Sequence, residues 1–141
     1  EKHALLAGEM SGHIFFKHRW FGFDDAIYAG ARLLEILAAE DQPLSAHLET
    51  IPQYPSTPEI EVTSTDETKF DVIAKATAYF QAQGDDVVTI DGARIEFPDG
   101  WGLLRASNTS PKLVMRVEAQ TDARVAEIRA MIEAKVKELN G

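Results

Sequence analysis

Gly100-Trp101-Gly102-Leu103-Leu104-Arg105-Ala106-Ser107-Asn108-Thr109-Ser110-Pro111-Lys112-Leu113-Val114-Met115-Arg116-Val117-Glu118-Ala119 decides the fold. Residues 101–106 and 113–119 are apolar-rich runs of strand length. The polar residues between them make a loop at one end of a sheet. Just upstream, Val87-Val88-Thr89-Ile90, then Asp91-Gly92, then 93–97 predict a hairpin with a primed turn. Asp99-Gly100 predicts a second such turn. Residues 59–65 alternate, with Ile60 and Val62 on one side, as a half-exposed strand does. Ser64-Thr65-Asp66-Glu67 resembles a capping box. Phe70, Ile73, Thr77 and Phe80 then line one face of a helix that Gly84 ends. A closing helix from Thr121 buries Val125, Ile128, Ile132, Val136 and Leu139. The order strand, helix, four strands, helix predicts an α+β layer, with one antiparallel sheet and two helices on a single face.

Upstream of this domain lies Pro52-Gln53-Tyr54-Pro55-Ser56-Thr57-Pro58. Three prolines in seven residues remove amide donors and fix φ. They predict a domain boundary and a semi-rigid connector over 52–58. Residues 1–51 then form a separate zone. Leu5-Leu6-Ala7 and Ile14-Phe15-Phe16 predict two short strands around the Gly8–Gly12 turn. Asp24 or Asp25 can cap the following helix. Ile27, Ala31, Leu34 and Ala38 share one face of it, reinforced by Leu33 and Leu37. A short helical stretch follows Pro43.

Composition narrows the classes of function. The chain has 141 residues, 45% of them apolar and 26% charged, as soluble globular domains do. It has no cysteine, which excludes disulfides, thiolate metal sites and cysteine nucleophiles. No apolar run approaches the ~18 residues of a membrane span. The net charge of −9 argues against nucleic acid as a partner. Any phosphorylated ligand therefore needs a local site.

Two loops are candidates for that site. Gly8-Glu9-Met10-Ser11-Gly12-His13 presents a carboxylate, a hydroxyl and an imidazole within five residues. Such a group can exchange hydrogen bonds with sugar hydroxyls, and His13 can contact an anion. Arg105-Ala106-Ser107-Asn108-Thr109-Ser110-Pro111 offers a guanidinium, three hydroxyls and backbone amides. No acid lies between Asp99 and Glu118, so the sequence shows a local clearing suited to a phosphate. The competing account is an ordinary turn whose side chains bond their own backbone. The aromatic and basic stretch 15–25 fits core packing and a helix cap better than base stacking. His13 and His18 have neither the spacing nor the companions of a zinc site, and Asp24-Asp25 and Asp85-Asp86 lack the pattern of a magnesium loop.

Together these motifs resemble the α-D-phosphohexomutases, in particular the bacterial phosphomannomutase/phosphoglucomutase branch. The sugar-binding loop of that branch is similar to 8–13. Phe21-Gly22-Phe23-Asp24-Asp25 and its helix also resemble the family. The phosphate-binding loop is similar to 105–111 preceded by Gly100-Trp101-Gly102. Met10 and Ser107-Asn108-Thr109 favour this branch over phosphoglucosamine mutases, and His18 departs from an acidic residue common there.

The resemblance implies that residues 1–51 end domain 3, that 52–58 are a hinge, and that 59–141 form domain 4, with a TATA-binding-protein-like fold. It implies reversible phosphate transfer between O1 and O6 of glucose or mannose phosphate, through a phosphoserine and a 1,6-bisphosphosugar. Glu9, Ser11 and His13 would read the sugar, His13 with a possible acid/base role. Arg105, Ser107, Asn108 and Thr109 would anchor phosphate. The serine loop and the Mg2+ loop would lie in preceding domains absent from this sequence, which begins at Glu1. The expected partners are a hexose phosphate and those domains, in the cytoplasm, with no nucleic acid and no membrane. A free-standing, non-catalytic sugar-phosphate-binding module is the alternative.

Overall fold

The computed structural model describes residues 3–140. The chain divides into two compact units, Glu1–Pro52 and Gln53–Gly141.

The second unit is a five-stranded antiparallel sheet covered by two helices. Its elements are β3 (Ile60–Thr63), α3 (Lys69–Gln83), β4 (Asp86–Val88), β5 (Ala93–Phe97), β6 (Gly100–Ala106), β7 (Lys112–Ala119) and α4 (Asp122–Asn140), in the predicted order. The strands lie in the order β3-β7-β6-β5-β4, so the first strand pairs with the last. Alternation sorts the side chains. Leu104 and Ala106 of β6, with Leu113, Met115 and Val117 of β7, are buried on the helical side. They meet Val72, Ala76 and Phe80 of α3 and Ile128, Ile132 and Val136 of α4. Gly102 is required there, because a Cβ would stand 2.2 Å from Ile132 Cδ1. Arg105 and Val114 pair across the strands on the opposite side of the sheet.

Several details differ from expectation. Thr68 is the N-cap position of α3, yet it gives no side-chain cap bond. The Thr65 hydroxyl accepts from the Thr68 amide at 3.2 Å, and the box closes no further. The buried stripe of α3 is Lys69, Val72, Ala76 and Phe80, while Phe70 is exposed. Gly84 does end the helix, at φ 93°, with the Asp85 amide reaching back to the Phe80 carbonyl at 3.2 Å. The β4–β5 connection is longer than a two-residue turn, since Val88 pairs with Arg94. Ile90 consequently lies in the loop and is exposed. The β5–β6 turn is Pro98-Asp99, because Phe97 pairs with Gly100. Neither turn residue has a positive φ, so the turn is not a primed one.

The proline-rich segment is also less free than a connector. The Thr57 amide donates to the Val117 carbonyl at 2.9 Å, and the Ala119 amide to the Pro55 carbonyl at 3.1 Å. Thr57 is buried, and its hydroxyl accepts from the Val117 amide. Residues 55–57 therefore extend the sheet edge beyond β3.

The first unit holds β1 (Leu6–Gly8), β2 (Ile14–Phe16), α1 (Ala26–Ala39) and α2 (Leu44–Leu48). The strands pair antiparallel, Ala7 opposite Phe15. Asp25 is the N-cap of α1 and accepts from the Tyr28 amide at 2.9 Å. An aromatic group packs beside it, with Trp20 stacked on Tyr28 at 4.3 Å. Phe21 and Phe23 of the same stretch are exposed and none of residues 15–25 is buried, so the expected core packing is not found there, while the expected helix cap is, at Asp25. The predicted apolar face of α1 is exposed as well: Ile27 is 87% accessible and Leu34 66%. A two-stranded ribbon and one short helix are too small to cover it.

Candidate functional site

The first loop is the turn between β1 and β2. Its backbone closes through the Glu9 amide to the His13 carbonyl at 2.9 Å and the Gly12 amide to the Glu9 carbonyl at 3.0 Å. Gly12 has φ 91°, a conformation that costs other residues. The turn brings Glu9, Ser11 and His13 together, and all three are exposed. The Ser11 hydroxyl donates to the Glu9 carboxylate at 3.2 Å. His13 Nδ1 lies 2.6 Å from Asp24 Oδ2, and the other carboxylate oxygen of Asp24 accepts from the Ile14 amide at 3.1 Å. The hydrogen bond and the charge of Asp24 raise the His13 pKa above its ordinary value. The same hydrogen bond lowers that of Asp24. The arrangement offers a carboxylate, a hydroxyl and an oriented imidazole to one ligand.

The second loop joins β6 to β7. Ser107 is buried, and its hydroxyl oxygen accepts from the Thr109 amide at 3.3 Å and the Ser110 amide at 3.2 Å. The Ser107 amide donates to the Lys112 carbonyl at 2.9 Å. Ser107 thus bonds its own loop and shapes it, as in an ordinary polar turn. Its hydroxyl also lies 3.5 Å from the Thr109 hydroxyl, and either can donate. Asn108 and Thr109 are exposed at the tip. Arg105 stands on the open side of the sheet, its Nη2 3.6 Å from a Glu59 oxygen. The clearing read from sequence is therefore not one in space. Strand β3 and the residue before it carry Glu59 to Arg105, and Glu61 to the Lys112 ammonium.

One residue of this loop's support escaped the sequence reading. Lys69 has 5% of its side chain exposed. Its ammonium donates to Asp66 at 2.6 Å and to the Ser110 carbonyl at 3.1 Å. It pins the far side of the loop to the start of α3. The signal was available, since Lys69 shares the helical spacing of Val72, Ala76 and Phe80. Asp24 was considered as a cap, as part of a metal loop and in the family resemblance, but not as a partner of His13, and it is its neighbour Asp25 that caps. Among the described residues no group of three His, Cys, Asp or Glu side chains is placed to hold a metal ion. None of the described helices is long and apolar enough to cross a membrane.

Residues 59–135 match the family model described as phosphoglucomutase/phosphomannomutase, C-terminal domain. The chain belongs to the phosphoglucomutase/phosphomannomutase family. Residues 1–54 match the alpha/beta/alpha domain III model of that family. A phosphomannomutase/phosphoglucomutase of Pseudomonas syringae pv. tomato is 53% identical over 136 residues, which is 96% of this chain and 29% of that protein. A phosphoglucomutase of Neisseria gonorrhoeae is 52% identical, covering 95% of this chain and 29% of that protein. A solved structure of a phosphoglucomutase/phosphomannomutase family protein from Burkholderia thailandensis superposes with a TM-score of 0.81 at 50% identity, over 96% of this chain and 28% of that one. This chain thus spans less than a third of these family members. Within the family matches, the Glu9 turn falls in the domain III region and the Ser107 loop in the C-terminal domain region.

Proposed function

We propose that this chain is the sugar- and phosphate-binding part of a phosphohexomutase that interconverts hexose 1-phosphate and hexose 6-phosphate. Glucose and mannose phosphates are the proposed substrates, in the cytoplasm. The observation that carries the reading is the Ser107 loop, shaped by its own hydrogen bonds and braced by Lys69, with Arg105 beside it. A loop formed in advance binds an anion without spending interaction energy on ordering itself.

Phosphate moves between O1 and O6, so the substrate must sit in two opposite orientations. One fixed anchor for the non-reacting phosphate meets that need. Arg105 supplies the charge, Asn108 and Thr109 supply exposed polar groups, and Ser107 holds the loop in shape. Glu9 and Ser11 bind sugar hydroxyls. His13 contacts the ligand near the reacting oxygen, where an imidazole can exchange a proton. Phosphoryl transfer depends chiefly on positioning and electrostatics, so an anchor far from the reacting atom affects rate. The phosphoserine and magnesium ion of the reaction belong, in this proposal, to parts of the enzyme outside this chain, and the bisphosphosugar forms there. Among the described residues no group of three His, Cys, Asp or Glu side chains is placed to hold that ion. The chain alone is then inactive.

Arg105→Ala in the full-length enzyme tests the reading. A hydrogen bond to a charged group is worth about 1.5–3 kcal/mol, so substrate binding weakens roughly 10–150-fold. An unchanged KM removes Arg105 from the anchor. The self-contained core of the second unit also supports a free-standing binding module. Mutase turnover by the 141-residue chain alone would contradict the division of labour. Phosphate-induced NMR shifts confined to 105–109, with no turnover, would favour the module.

A further inference from the structure

We infer that Asp24 is the positioning residue for His13, holding the ring by Nδ1 so that Nε2 is the nitrogen presented to a ligand. The inference rests on the proposed role of His13 and deepens it. Asp24 is not a chance neighbour. Its backbone forms an isolated antiparallel bridge with Phe15 of β2. The next amide, that of Asp25, donates to the Ile14 carbonyl at 3.4 Å. One carboxylate oxygen accepts from the Ile14 amide, and the other faces His13 Nδ1. The carboxylate is therefore fixed at both oxygens, and the bridge fixes its backbone.

The chemistry follows from the two ring nitrogens. An ionised carboxylate only accepts, so Nδ1 must carry a proton to bond it. In the neutral ring Nε2 is then a bare acceptor, able to take a proton from a sugar hydroxyl. In the charged ring Nε2–H is a donor, able to return that proton to a sugar oxygen. The carboxylate also stabilises the charged form, which stores the proton between the two events. The charged groups that face His13 are Asp24 and, across the turn, Glu9, and both favour the cation. Without Asp24, His13 would stand just after Gly12 at the end of an exposed turn, with no described partner for its ring.

The first experiment needs no substitution. Nitrogen-15 NMR of the 141-residue chain at alkaline pH reads which ring nitrogen of His13 keeps its proton. The Nδ1–H tautomer is expected, and a predominant Nε2–H tautomer would overturn the inference. The second experiment compares Asp24→Asn with His13→Gln in the full-length enzyme. Asparagine can still accept from the Ile14 amide but carries no charge. We expect Asp24→Asn to lower kcat roughly tenfold or more, a part of the about 10²–10⁴ of acid/base catalysis. KM should change little, and the kcat–pH profile should move to lower pH. Asp24→Glu, which restores the charge, should recover part of the loss. If His13→Gln leaves kcat intact, the proposed role of His13 fails whatever Asp24 does. If His13→Gln is impaired while Asp24→Asn keeps both wild-type kcat and its pH profile, the inference alone fails.

Discussion

Within this chain the two units bury apolar surface to unequal extents. The second encloses a core in which Ile95, Leu104, Leu113, Met115, Ile128 and Ile132 are fully buried. The first buries none of its described residues, 3–52. Both have apolar helices, so amphipathicity is not what separates them. The second unit has five strands in one sheet, enough to back two helices, while the first has two short strands for α1 and the short α2. A helix stripe becomes core only when another layer covers it. The contrast also touches the loops. The Ser107 loop rests on a closed core, whereas the Glu9 turn depends on local pairs such as His13 with Asp24.

The largest expected effect breaks or confirms this contrast directly. Leu104→Ala should cost about 2–5 kcal/mol in urea unfolding of this chain. Leu34→Ala should change it by less than about 0.5 kcal/mol. An equal loss from both would mean that α1 is packed after all. Next, Lys69→Met removes a buried donor while keeping its bulk. It should cost roughly 1–3 kcal/mol, with amide NMR shifts centred on 107–111. Shifts spread evenly over the sheet would show that Lys69 serves the core and not the loop. A smaller effect is expected at Glu59. Its pairing with Arg105 is partly exposed and so worth at most about 1 kcal/mol. Glu59→Gln in the full-length enzyme should free Arg105 and lower KM by no more than about fivefold. A raised KM would mean that Glu59 orients the guanidinium.

The smallest effect is a pH window in the first unit. The folded His13 pKa lies above 6.5, so its contribution is complete below that value and fades as pH rises through the raised pKa. The folded Asp24 pKa lies below 3.8, so its contribution is present above that value and fades as pH falls through the lowered pKa. The pair is intact between those limits. NMR titration of His13 should show the raised midpoint, and Asp24→Asn should return it towards 6.5. The second unit should show no matching transition near neutrality.

Much of the fold was legible because burial of the second unit follows simple periods. Alternation in β3 to β7 and the Ile128, Ile132 and Val136 stripe require no knowledge of partners. Turn lengths were less legible. Pro98-Asp99 and the longer 88–94 connection are set by cross-strand register, which a dipeptide such as Asp91-Gly92 does not determine. The shared apolar face of α1 was legible from helical spacing, but whether it is covered was not, since covering needs a second surface. At the candidate site, residue types marked both loops. The sequence could not show Glu59 beside Arg105, because they lie on different elements and meet only in the folded sheet. Asp24 and Asp25 teach the same lesson. Adjacent and chemically identical, they take separate tasks, one at His13 and one at the Tyr28 amide.

The far end of α4 meets the base of the loop between β6 and β7. The Asn140 side chain donates to the Thr63 carbonyl at 2.7 Å and accepts from the Ser64 hydroxyl at 2.7 Å. The Ser64 amide in turn donates to the Pro111 carbonyl at 3.1 Å. On a ribosome these partners emerge far apart in time, and β3 must wait for β7 before it can pair. The loop residues at 105–111 are thus synthesised well before the helix that completes their support. A nascent chain would carry residues 105–111 before the hydrogen bonds that Asn140 makes at the base of their loop can form.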